Sequence, residues 1–106
     1  MSFRILVQFP NEDNLKFDMD YYVNTHMKMA VRDPKLIKWE TVKHSPGPDG
    51  SKPFVYTTIL DYADEASFHE FMASPQGREV FEDGPNFSNH RPTYFLLGTV
   101  IQGSEI

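Results

Sequence analysis

The sequence predicts an α+β domain in which one four-stranded antiparallel sheet carries helices on a single face, and three observations predict it. Strand-like and helix-like stretches follow one another as strand, helix, strand, strand, helix, strand. The last of these strands is apolar on both sides. The chain of 106 residues is the size of one domain, residues 1–106, and at that length folding buries only about two-thirds of the surface the unfolded chain exposes.

The elements are read from their periodicity and their ends. From Ser2 to Phe9, Phe3, Ile5, Val7 and Phe9 alternate with Arg4, Leu6 and Gln8, the two-residue period of a half-buried strand, and Pro10-Asn11 ends it. Asp18 is placed to cap a helix that begins at Met19, with Phe17 and Tyr22 as its hydrophobic staple. That helix stops before Pro34, because the residue preceding a proline disfavours helix. Leu36 to His44 and Phe54 to Tyr62 read as the second and third strands. The run Ser45 to Pro53 between them is nearly all turn residues, a hairpin loop and not a domain boundary. Asp64 caps the next helix, and Ser74-Pro75 gives a cap and a first-turn proline for a short helix ending near Asp83. The apolar face of this pair is Phe68, Phe71, Met72, Val80 and Phe81. Thr93 to Ile101 is the last strand, with Tyr94, Leu96 and Val100 alternating against Phe95, Leu97 and Ile101.

This order is the ferredoxin-like βαββαβ pattern. Helices can cover only one face of such a sheet, so the two-sided apolar last strand calls for a second cover, and a symmetric copy of the same chain is the simplest.

Composition narrows the function classes. The formal net charge is −5 with acidic and basic residues interspersed, which offers no basic stripe for nucleic acid. There is no cysteine, hence no disulfide, thiolate metal site or cysteine nucleophile, and the expected compartment is the cytoplasm. The opening apolar run is shorter than that of a signal peptide, and no stretch approaches the roughly 18 to 20 apolar residues of a membrane span. His26, His44, His69 and His90 have no metal-ligand spacing, and no phosphate loop, dinucleotide fingerprint or serine elbow is present, so neither metal nor cofactor is expected.

Several segments stand out together: Phe9-Pro10-Asn11, Phe17-Asp18-Met19-Asp20-Tyr21-Tyr22 with His26-Met27, Trp39, Ser74-Pro75-Gln76-Gly77, and Asp83-Gly84-Pro85-Asn86-Phe87. This pattern resembles the EthD proteins across nearly the whole chain. The resemblance implies a dimeric α+β barrel. It also implies kinship with cofactor-free proteins that decarboxylate, dehydrate or cyclise polyketide-like intermediates, or that serve oxidative degradation pathways.

The candidate chemistry lies on the first helix. Asp18, Tyr22 and His26 recur every four residues and share one side with Met19, Val23 and Ala30, the side expected to face the sheet. An imidazole there can act as general acid or base, and Tyr22 beside it can orient the ring or stabilise an oxyanion. The plainer reading makes His26 a satisfied core histidine, Tyr22 a staple partner and Asp18 a cap. Asp83 or Asn86 can reach His26 and fix its tautomer or contact a ligand, or else bond only within their own turn. Trp39, Tyr56 and Phe87 are read as pocket lining for a flat ligand or as core. The expectation is a cofactor-independent enzyme working by acid/base proton transfer (decarboxylation, dehydration, cyclisation or enolisation) on an aromatic or polyketide-like carbonyl compound, with His26 and Tyr22 catalytic. The alternatives are a non-catalytic metabolite-binding or accessory dimer, and a cofactor-free monooxygenase.

Overall fold

The computed structural model of the chain describes residues 2–104, apart from the side chain of Phe95, so the expectation placed on that side chain falls outside the described residues. Four strands, β1 (Phe3–Pro10), β2 (Leu36–Lys43), β3 (Phe54–Tyr62) and β4 (Thr93–Thr99), form one sheet in the order β2-β3-β1-β4. Every neighbouring pair is antiparallel. This is the predicted ferredoxin-like topology, with β1 and β3 central.

The alternation read in β1 sorts its side chains as expected: Phe3, Ile5, Val7 and Phe9 are buried beneath the helices. Their partners across β3, namely Tyr62, Leu60, Thr58 and Tyr56, share that face. Among the described residues the opposite face carries no helix. There Leu6 lies between Ile59 and Leu96, and Arg4 grips the buried Asp61 carboxylate at 2.8 and 3.1 Å.

Strand β4 corrects the sequence reading in one respect. Leu96 pairs with Leu6 as simple alternation requires, but Tyr94, not Phe95, pairs with Val7. The register shift puts one extra residue into β4, a β-bulge, and turns Tyr94 onto the helix-covered face, away from Leu96. The strand also ends at Thr99, leaving Val100 and Ile101 beyond it.

The first helix runs in three consecutive pieces: α1 (Met19–Tyr21), a π-helical turn (Tyr22–His26) and α2 (Met27–Ala30). Its start is as predicted. Asp18 accepts from the Tyr21 N–H at 3.0 Å, and the Phe17 and Tyr22 rings meet with centroids 5.2 Å apart. In the π turn the Met27 N–H reaches back five residues to the Tyr22 carbonyl. That extra residue per turn rotates the downstream face, so the buried set is Tyr22, His26, Met27 and Ala30, while Val23, expected inward, is exposed.

Helices α3 (Glu65–Ala73) and α4 (Pro75–Glu82) begin at the predicted caps, Asp64 and Ser74, and a short 3-10 turn (Gly84–Asn86) follows. Phe68 and Phe71 are buried and Met72 and Val80 half-buried. Phe81, grouped with them from spacing, is 56% exposed. The reason is that α4 packs mainly on α2 and α3 and so stands away from the sheet, leaving Phe81 at the rim of a gap.

Gly77 sets the α3–α4 corner. A Cβ at this position would fall 1.9 Å from the Phe71 carbonyl oxygen. Gly77→Ala should therefore destabilise the fold by about 1–3 kcal/mol, although the same exchange at an unobstructed helix site stabilises. The shift of the urea midpoint gives the sign directly.

Candidate active site

The gap left beside α4 is an open cavity of about 730 Å³ between the helices and the sheet. Val7, Thr58, Leu60, Tyr62 and Tyr94 form its floor, Tyr22, His26 and Met27 one wall, and Phe68, Phe71 and Met72 another. Phe87 and the segment to Arg91 edge it.

His26, only 9% exposed, stands in this wall between two aromatic rings. Tyr22 stacks on it with centroids 5.2 Å apart and planes 17° from parallel, and Phe87 approaches to 4.5 Å. Its Nδ1 lies 2.9 Å from Asp83 Oδ2. The other carboxylate oxygen accepts from the Tyr21 hydroxyl and from Asn86 Nδ2, both at 2.8 Å.

These contacts fix two protonation states. Burial pushes the Asp83 carboxyl up, but the donors Asn86, His26 and Tyr21 outweigh it and hold the group below its usual value. Burial lowers His26, and the Asp83 carboxylate offsets this only in part. At neutral pH the pair is thus an anionic carboxylate and a neutral ring. A carboxylate can only accept, so Nδ1 carries the proton and the ring's lone pair sits on Nε2. A neutral imidazole in this tautomer, in the wall of a cavity, is a general base.

Tyr22 is not the hydrogen-bonding partner of His26 that the sequence suggested. Its hydroxyl lies 2.5 Å from Thr58 Oγ1, which is in turn 2.9 Å from Thr41 Oγ1. Burial pushes the phenol up to about 12 against the pull of these hydroxyls, so it remains protonated. The geometric reason is helical: Tyr21 and Tyr22 are adjacent and diverge by about 100°, one toward Asp83 and one toward the sheet.

Of the other residues singled out from sequence, Phe87 lines the cavity and Asp83 stands behind His26. Asn86 bonds Asp83 and lies outside the cavity lining. Trp39 and Tyr56 also lie outside it: Trp39 sits beside Leu60 on β2, and the Tyr56 ring packs on Phe17 at 4.8 Å. Asp18 is the cap and nothing more is assigned to it. Sequence reasoning missed Tyr21, Thr58, Thr41 and Tyr94. Only Tyr21, next to a residue already singled out, carried a signal. Among the described residues no group of three metal-ligating side chains converges, and no helix is long and apolar enough to cross a membrane.

The backbone is shared with solved structures of low sequence identity. An EthD-like protein from Ralstonia eutropha JMP134 superposes with a TM-score of 0.83 at 20% identity, covering 98% of this chain and 96% of that one. The fold is that of the EthD-like proteins. A second EthD-family protein, from Bacillus halodurans C-125, matches with a TM-score of 0.76 at 19% identity over 95% of this chain and 100% of its own. The EthD fold also extends to more distant neighbours with named chemistry. A hydroxynitrile lyase from Passiflora edulis has a TM-score of 0.62 at 13% identity, with 96% of both chains covered. A cofactor-independent oxygenase from Streptomyces nogalater has a TM-score of 0.60 at 14% identity, covering 99% of this chain and 96% of that one. No protein-family model and no curated protein matches the sequence.

Removing the carboxylate takes away what offsets burial at His26. Asp83→Asn should therefore lower the His26 pKa further, which an NMR titration of the ring protons would show; an unchanged or raised value would refute the coupling. Both folded-state values are depressed, so their contribution to stability is present above the unfolded values and is lost as pH falls. For His26 the loss begins as pH drops below the unfolded value near 6.5 and runs to its lower folded value. Urea midpoints measured across this range should fall with pH, and His26→Gln should remove that step.

Proposed function

We propose that the chain is a cofactor-independent enzyme that moves protons on a flat aromatic or polyketide-like carbonyl compound bound between helices and sheet. The observation that carries this is the neutral, Asp83-anchored imidazole of His26 in the wall of an aromatic-lined cavity. Nε2 takes a proton from the carbon next to the carbonyl, and the imidazolium that forms is stabilised by the carboxylate already in place. The same nitrogen then returns the proton: to the enolate oxygen in enolisation, to the oxygen that leaves as the β C–O bond breaks in dehydration, or, in cyclisation, to the oxygen of a second carbonyl of the same compound once the enolate carbon has bonded to that carbonyl carbon. Tyr22 holds the ring flat against the wall and stays protonated. The structural likeness to a hydroxynitrile lyase and a cofactor-independent oxygenase supports small-molecule chemistry on this fold.

The reading includes a homodimer formed through the helix-free face. Leu96, beside Leu6, and Val42, beside Thr57, are 42% and 45% exposed there. Gln8, on the same face, keeps its Oε1 buried with no donor among the described residues. A second sheet covers such a surface.

The test is deuterium loss from the α-carbon of a panel of one- to three-ring aryl β-diketones, followed by NMR. His26→Ala should slow exchange by about 10²–10⁴-fold on the compound that responds. Full activity in that variant would remove His26 from the chemistry. Light scattering should give twice the chain mass, and Leu96→Asp should return the protein to a monomer.

A further inference from the structure

Four tyrosines stand at or against the cavity, and two of them have their hydroxyls in hydrogen bonds. Tyr21 donates to Asp83 and Tyr22 is bonded to Thr58, while Tyr62 is buried, 3% exposed, with the Asp33 carboxylate near enough to raise its phenol. Tyr94 is the fourth. It lines the cavity, is 43% exposed, and its hydroxyl has no hydrogen-bond partner among the described residues.

The sheet brings Tyr94 to this place by a specific irregularity. Thr41 pairs with Thr58, Thr58 with Val7, and Val7 with Tyr94, so these four residues form one row across β2, β3, β1 and β4 on the helix-covered face. Strands lie about 4.8 Å apart, which sets the Tyr94 and Thr58 backbones about 10 Å from each other with only Val7 between them. Tyr22 reaches down to the Thr58 end of the row. Without the bulge in β4, Phe95 would have paired with Val7 and Tyr94 would have faced the other side of the sheet. The extra residue thus places a phenol on the floor of the cavity whose wall holds His26.

We infer that Tyr94 holds the carbonyl oxygen of the bound compound and donates a hydrogen bond to the negative charge that develops there. The inference rests on the proton-transfer reading of His26 and adds its missing half. When Nε2 takes the α-proton, the C–H electron pair becomes the new carbon–carbon π bond and the carbonyl π pair moves onto oxygen. The products are an imidazolium paired with Asp83 and an enolate oxygen, and the latter requires a donor that is not already committed to the protein. Tyr94 meets that requirement, whereas Tyr22 meets it only by giving up Thr58. Burial raises the Tyr94 phenol, which keeps its proton in place as a donor.

The experiment uses two probes of the same shape on the full chain, 4-nitrophenolate as the oxyanion and 4-nitroanisole as its uncharged counterpart, with binding followed by absorbance or NMR. Tyr94→Phe keeps the ring and removes only the hydroxyl. It should weaken 4-nitrophenolate by about 10- to 100-fold and leave 4-nitroanisole within about twofold. Equal affinity of wild type and Tyr94→Phe for the phenolate overturns the inference, as does an equal loss for both probes. Loss of phenolate binding in Tyr22→Phe or Arg91→Met, with Tyr94→Phe unaffected, assigns the donor elsewhere and also overturns it. In those cases the role of His26 stands, because it is judged separately by α-proton exchange in His26→Ala. Failure of the wild type to bind either probe counts against both readings.

Discussion

The buried carboxylate of Asp83 is the constraint on which the rest of the site depends. An anion 8% exposed must be supplied with donors, and the three it has come from two stretches of chain: Tyr21 and His26 on the first helix, Asn86 on the 3-10 turn. Hydrogen bonds to a charged group contribute about 1.5–3 kcal/mol each, whereas an exposed pair such as Lys35–Glu70, 3.4 Å apart, contributes at most about 1. The carboxylate therefore decides how the first helix stands against the turn after α4. In doing so it also sets the tautomer of His26 and the width of the cavity beside it.

Around that pair the aromatic residues act as a frame. Phe9, Phe17, Tyr22 and Phe87 meet one another with ring centroids between 4.8 and 6.0 Å, mostly edge to face. The backbone closes the frame, since Asp18 N donates to the Phe87 carbonyl at 2.8 Å and Phe17 bridges Ser88. Phe87 is in this way held against the His26 ring by two loops at once. The base is positioned by packing on both faces and by a carboxylate at its edge, which leaves the imidazole little freedom to turn.

The order of elements, the caps at Asp18, Asp64 and Ser74 and the buried face of β1 were all legible in the sequence, because each depends on local chemistry or a fixed period. Legibility failed wherever the backbone departs from its period. The π turn moved Val23 outward and Met27 inward, and the bulge in β4 moved Tyr94 across the sheet; neither leaves a compositional mark. For the candidate site, His26 and Tyr22 could be named from their spacing and Asp83 as one of two candidate partners for His26, but which of the two it was, and Thr58 as the partner of Tyr22, could not be read. Asp83 is 57 positions from His26 and Thr58 is 36 from Tyr22, distances that only the tertiary fold closes. Trp39 and Tyr56 illustrate the converse, since an aromatic in a strand can pack on the neighbouring chain, as Tyr56 does on Phe17, as readily as on a ligand.

The π turn also separates the machinery from its scaffold. Upstream of it, Asp18 and Phe17 anchor the helix start to the loops; downstream, Met27 and Ala30 anchor its end to the core. The residues between these anchors form the wide π-helical turn, which holds one residue more than an α-helical turn would. Loss of a single residue among positions 23–25 would restore regular α-helical winding and redirect the ring at position 26 while the sheet stayed as it is. A change of one residue in length at this turn is thus a local way to alter where the base points.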